Sequence, residues 1–239
     1  MTSSLNALRV KIFADGADIA SIGELRSLPF VRGFTTNPTL MRKAGVSSYR
    51  AFAKQVLDLV PDKPVSFEVL ADEFDEMERQ ALEIASWGRN VFVKVPVTKC
   101  SGESSSDLLA RLSRAGVQVN VTAIMTLRQV QEVSAVLSRD VASFVSVFAG
   151  RIADTGVDPV PIMAATVGIL RANPKSEAIW ASPREVLNVI QADAVGCHVI
   201  TVTQEIISKL SMVGCDLDEF SLETVRMFYR DAVAAGLAL

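Results

Sequence analysis

One lysine, Lys94, sits at the centre of an otherwise apolar, β-branched run, Val91-Phe92-Val93-Lys94-Val95-Pro96-Val97. Such a run reads as a strand buried on both faces. An ammonium taken out of water there without a partner is costly. Two readings explain the lysine. Either the amine is paired, or its stem is buried while its head reaches water; or it is a nucleophile, because an apolar site favours the neutral amine that forms a Schiff base with a carbonyl compound. The lysine alone does not choose between them. The other polar residues at the ends of apolar runs do: Asp15, Thr35, Thr36, Asn37, Glu68, Asn120, Thr122, Ser146, Arg151, Ser182 and Arg184.

These residues need a scaffold that brings strand ends together. Short β-branched runs alternate with stretches of helical period along the whole chain. The strands are expected at 10–13, 33–36, 64–70, 91–97, 118–122, 141–148, 177–180 and 194–199. The helices are expected at 19–27, 48–60, 72–86, 105–115, 126–137, 159–171, 183–192 and 203–210, with a further one at 221–235. Ser48 and Thr126 read as N-caps, Gly116 as a C-terminal stop, and Pro159 and Pro183 as first-turn prolines. Eight strand–helix units predict an α/β fold, a closed (β/α)8 TIM barrel with an additional C-terminal helix, formed by one domain over residues 1–239. The rival is an open doubly wound sheet. It lacks support, since no Gly-x-Gly-x-x-Gly turn follows the first strand.

Composition narrows the function. Hydrophobic residues are 49% of 239, enough for a large core, and the net charge is −3 with both signs interspersed. That predicts no nucleic-acid footprint and no polybasic membrane patch. No apolar run is long enough to span a bilayer, and the N-terminus does not read as a secretory signal. The three cysteines, Cys100, Cys197 and Cys215, are scattered without a CxxC spacing, so free thiols and a cytoplasmic location are expected. The one histidine, His198, lies in an apolar run and reads as a satisfied core residue. With so few soft ligands, no metal site is expected.

In a β/α barrel the reacting groups sit at the C-terminal strand ends. There an acid, amides, a second acid, an amine and hydroxyls converge. Each has a plain alternative: Asp15 and Asn37 as turn residues, Glu68 as the counter-charge of Lys94, Thr122 and Ser146 as backbone partners, the arginines as surface charges. Together they compose an aldol site. Lys94 attacks a ketone and becomes an iminium; Asp15 takes a hydroxyl proton; Glu68 holds a water. Asn37 and Asn120 hydrogen-bond hydroxyls, and Arg151, Arg184 and Ser182 clamp a terminal phosphate.

The segments carrying these residues are recognisable. Gly33-Phe34-Thr35-Thr36-Asn37-Pro38-Thr39-Leu40, Val93-Lys94-Val95-Pro96, Asn120-Val121-Thr122-Ala123, Phe148-Ala149-Gly150-Arg151-Ile152-Ala153-Asp154 and Ala181-Ser182-Pro183-Arg184 resemble the signature segments of the transaldolase family, including its fructose-6-phosphate aldolase-like branch. The resemblance implies a class I aldolase. Lys94 is then the Schiff-base lysine, Asp15 the acid/base, and Glu68 with Thr122 the pair that positions the catalytic water. Thr35, Asn37, Asn120, Ser146 and Phe148 fall at substrate positions, and Arg151, Ser182 and Arg184 at the phosphate. The implied reaction belongs to the pentose phosphate pathway. It moves a dihydroxyacetone unit from sedoheptulose 7-phosphate to glyceraldehyde 3-phosphate, giving erythrose 4-phosphate and fructose 6-phosphate. No cofactor is implied, the partners are sugar phosphates, and the small members assemble as homo-oligomers, pentamers or decamers.

The aldolase branch, which releases free dihydroxyacetone, resembles a version with glutamine at the place of Glu68 and tyrosine at that of Phe148. The acid and the phenylalanine here favour transfer. A specialised aldolase acting on an unusual sugar phosphate is a further reading, prompted by departures at Gly16-Ala17-Asp18, around Lys99-Cys100 and at Val147. A sugar-phosphate-binding barrel without turnover is the non-enzymatic alternative.

Overall fold

The computed structural model describes residues 8–236. Eight parallel strands close into a barrel in sequence order: β1 (Lys11–Asp15), β2 (Val31–Thr35), β3 (Val65–Glu68), β4 (Val91–Pro96), β5 (Val119–Ile124), β6 (Ser143–Val147), β7 (Ser176–Trp180) and β8 (Val199–Thr203). The helices are α1 (Ile19–Arg26), α2 (Pro38–Lys43), α3 (Tyr49–Leu59), α4 (Phe74–Ala85), α5 (Ser106–Arg114), α6 (Leu127–Val136), α7 (Ala149–Asp154), α8 (Val160–Leu170), α9 (Leu187–Ala194), α10 (Gln204–Lys209) and α11 (Leu217–Ala234). The expected (β/α)8 barrel with a C-terminal helix is the architecture found.

The continuous apolar runs arise because the two faces of each strand are buried differently. One alternating set, including Val65, Phe67, Val91, Val93, Val95, Val119, Val121, Trp180 and Ile200, packs under the helices in the main core. The other set points into the barrel. Its lower layer is a separate cluster of Phe13, Phe92, Phe144, Ile179 and Val199. Phe13 meets Phe144 edge-on at 5.6 Å, and Phe92 lies tilted over Phe144 at 4.2 Å. Gly33 is required opposite Phe13, since a Cβ there would stand 2.6 Å from the ring. This aromatic layer closes the barrel at its N-terminal end and forms the floor of the polar layer above it. A hollow of about 570 Å³ lies below, rimmed by Lys11, Lys63 and Lys175; it is remote from the converging acids.

Local signals placed most helices. Ser48 accepts from Ala51 N, and Thr126 with Gln129 forms a capping box. Gly116, with φ of 85°, follows the end of α5 as a left-handed stop. Several boundaries differ from expectation. The eighth strand was expected at 194–199 but begins at Val199; Ala194 ends α9, and Gly196 at φ 73° makes the turn between them. The apolar run Ala194 to Val202 has no period that separates a helix end from a strand start. His198 sits in that turn, half-buried rather than in the core. Its Nδ1 accepts from Ala178 N at 3.0 Å, and burial lowers its pKa.

The helix expected from Pro183 begins only at Leu187, because the Asn188 side chain accepts from the N–H groups of Arg184 and Glu185 and holds a loop there. The third strand ends at Glu68 instead of residue 70. The last helix starts at Leu217, capped by Asp216, instead of at Ser221. The short helices α2 and α7, six residues each, were not expected; they are too short to show a period. No described helix is long and apolar enough to cross a membrane.

Candidate active site

The polar layer of the barrel faces a cavity of about 380 Å³ at the C-terminal strand ends. Parallel register sets its rows. Glu68 of β3 pairs with Lys94 of β4, Lys94 with Asn120 of β5, and Pro96 with Thr122. Lys94 is 8% exposed. Its Nζ donates to the Thr36 carbonyl at 2.7 Å and stands 3.1 Å from Glu68 Oε2. The amine is therefore both paired and turned to the cavity: the two readings of Lys94 describe one geometry.

Asp15 ends β1 on the other side of the mouth. Thr35 Oγ1 donates to its Oδ1 at 2.8 Å, and Asn37 Nδ2 to its Oδ2 at 3.3 Å. Burial raises the Asp15 pKa, opposed by the charge of Lys94 and by the Thr35 hydrogen bond. A raised carboxyl pKa suits a group that must give and take a proton near neutrality. Thr35 Oγ1 also lies 2.5 Å from Thr201 Oγ1. Since the Thr35 proton goes to Asp15, the Thr201 hydroxyl is the donor between them. Asn37 has a second duty: its Oδ1 caps α2 by accepting from Leu40 N at 2.9 Å, which fixes the amide that donates to Asp15.

On the far wall, Ser146 Oγ donates to Asn120 Oδ1 at 2.6 Å, and Asn120 Nδ2 donates to Ser66 Oγ at 3.0 Å. This chain sets the amide orientation of Asn120. Thr122 precedes Ala123, whose φ of 60° is left-handed, and the β5–β6 register shifts there. A kink at this point re-aims the strand end that carries Thr122.

At the third side, Ser182 is also left-handed, with φ of 57°. Its carbonyl lies against Gly150, where an added Cβ would be 1.5 Å from that oxygen. Gly150 N donates to the Ala181 carbonyl at 3.2 Å. The start of α7 is thus packed directly on the end of β7, so that Arg151 and Ser182 share one wall with Phe148. The Arg151 guanidinium stands 5.8 Å from the centroid of the Phe148 ring.

Every expected site residue lines this cavity except Arg184. Its guanidinium is ion-paired with Asp154, the Nε–Oδ1 separation being 3.1 Å, and it stands on the rim beside Gly150. Residue types alone did not single out Ser66 or the Thr36 carbonyl. Thr201, on β8, also lines the cavity. A hydroxyl in an apolar run is a weak signal until the register is known.

The family model described as Transaldolase/Fructose-6-phosphate aldolase matches residues 12–238. The chain belongs to the transaldolase/fructose-6-phosphate aldolase family. Among its relatives, the probable transaldolase of Dehalococcoides mccartyi is 35% identical over 202 residues, covering 84% of this chain and 90% of that one. The probable transaldolase of Thermoanaerobacter sp. is 32% identical over 224 residues, covering 93% and 98%. A putative phosphonomutase from Burkholderia cenocepacia superposes with a TM-score of 0.55 at 13% identity, over 88% of this chain and 94% of that one; that likeness is one of fold alone. As a transaldolase/fructose-6-phosphate aldolase family member, the chain is an aldolase-type enzyme, and its cavity holds an amine and two acids.

Proposed function

We propose that this protein is a transaldolase working through a Schiff base on Lys94. The observation that carries the reading is the placement of the Lys94 amine, 3.1 Å from the Glu68 carboxylate and in one cavity with the half-buried Asp15. Lys94 Nζ attacks the C2 carbonyl of a ketose phosphate, and the carbinolamine loses water, with Glu68 and Thr122 handling the proton and the water. Asp15 then takes the proton of the C4 hydroxyl. The C3–C4 bond breaks, its electron pair moves into the iminium to form an enamine, and C4 leaves as an aldehyde. A second aldehyde enters, the bond re-forms at its carbonyl carbon, and Asp15 returns the proton. Hydrolysis of the new iminium frees the lysine. Asn37, Asn120 and Ser146 meet substrate hydroxyls, and Arg151 and Ser182 the phosphate, with Arg184 joining them if its bond to Asp154 opens.

The substrates favoured are sedoheptulose 7-phosphate and glyceraldehyde 3-phosphate, in the pentose phosphate pathway of the cytoplasm. Transfer is favoured over release because Phe148 has no hydroxyl with which to hold a second water near the enamine, so hydrolytic protonation is slow. Incubation with fructose 6-phosphate and borohydride should fix a three-carbon adduct on Lys94, read by peptide mass. An adduct elsewhere, or none, sinks the reading. Phe148→Tyr should raise dihydroxyacetone release measured without an acceptor; vigorous release by the native enzyme would instead make it an aldolase.

A further inference from the structure

Glu68 is held by a side chain where its neighbouring strand should hold it. In the β2–β3 ladder, Phe34 N donates to the Pro64 carbonyl at 2.8 Å and Thr36 N to that of Ser66 at 3.2 Å. Parallel pairing continued by one step sends the Glu68 N–H to the Thr36 carbonyl. The paired register stops at Thr35 and Ser66 instead, and the Thr36 carbonyl accepts from Lys94 Nζ. The Glu68 N–H donates to the Tyr49 hydroxyl oxygen at 2.7 Å, and that hydroxyl donates to the Glu68 carbonyl at 2.9 Å.

Tyr49 opens α3. Its ring is fixed edge-on by Phe67 at 6.2 Å and Trp87 at 5.6 Å. Burial holds the phenol above its ordinary pKa, so it stays a donor. We propose that Tyr49 is a positioning residue for the reaction: its hydroxyl replaces one rung of the β2–β3 seam, fixing Glu68 beside the amine and leaving the Thr36 carbonyl to orient Lys94. Without that oxygen the Glu68 N–H has the Thr36 carbonyl as its nearest alternative, and closing the rung competes with Lys94 for the same acceptor. The inference rests on the roles proposed above for Glu68 and Lys94.

Tyr49→Phe keeps the ring packing and removes the one oxygen. The expected result is a kcat lower by about ten- to a hundredfold, the scale of small misplacements of reacting groups, with KM near that of the native enzyme. In a Glu68→Gln background the same change should cost less, because the share acting through the carboxylate is already lost while the share acting through the Thr36 carbonyl remains. An equal loss in both backgrounds, or an unchanged kcat, overturns the proposal. Hydrogen exchange supplies a readout independent of turnover. The Glu68 amide should be protected in the native protein and exchange faster in Tyr49→Phe; an unprotected native amide refutes the rung even if the variant does not fold. Failure of the native enzyme to form the Lys94 adduct would count against the functional reading alone.

Discussion

Gly150→Ala tests in isolation the wall proposed to hold the phosphate. The new methyl would start 1.5 Å from the Ser182 carbonyl oxygen and 2.6 Å from its carbon. Both are backbone atoms, so no side-chain rotation relieves the clash. Reaching ordinary contact requires the start of α7 and the end of β7 to part by about 2 Å. That movement breaks the Gly150–Ala181 hydrogen bond and separates Arg151 from Ser182. A misplacement near 1 Å costs about a hundredfold, equivalent to about 2.7 kcal/mol. We therefore expect kcat/KM for fructose 6-phosphate to fall by about that factor, with about 1–3 kcal/mol lost in stability from overpacking. Lys94, Asp15 and Glu68 stand on β4, β1 and β3, away from the clash, so borohydride trapping of unphosphorylated dihydroxyacetone on Lys94 should proceed as in the native enzyme. The assay is a paired comparison of the two ketones. Equal losses for both, or no loss for either, would refute the assignment of this wall to phosphate.

Two further predictions follow from burial. Burial raises Asp15 above its ordinary 3.8. A carboxyl whose folded pKa is raised contributes stability in full below the unfolded value and loses it as pH rises through the folded value. Asp15→Asn should therefore abolish aldol cleavage yet melt above the native protein at neutral pH, the difference shrinking as pH drops towards about 4. A native protein more stable than the variant at neutral pH would contradict this. The second concerns α11, in which none of the residues is buried. Phe228 is 63% exposed and Tyr229 72%, more apolar surface on one helix than a lone chain keeps in water. Light scattering should give a multiple of the 25.8 kDa chain, and Phe228→Glu should lower it; a native monomer would end the expectation of a homo-oligomer.

Much of the site was legible because strand ends carry chemistry in few residue types. Lys94 stood out since nothing in an apolar strand explains an amine cheaply. Glu68 and Asn120 fell in line with it because parallel register places them on its own level. Boundaries failed where the pattern carried no period, as in the run from Ala194 to Val202, or where a side chain ended an element, as Asn188 does before α9. Arg184 is expected at the phosphate clamp; what residue types do not show is that Asp154, thirty residues before it in sequence, pairs with its guanidinium at the rim.

The succession of strand–helix units, and the presence of an amine and two acids at strand ends, were legible in the sequence, because period and residue chemistry are local properties. Tertiary structure alone decided who holds whom. The Thr36 carbonyl serves Lys94 only because the seam stops one rung short. Tyr49 serves Glu68 only because a helix start is brought beneath that strand end. Gly150 matters only because the end of β7 passes within contact of it. Such partners are chosen by distance in space, and no pattern along the chain encodes that distance.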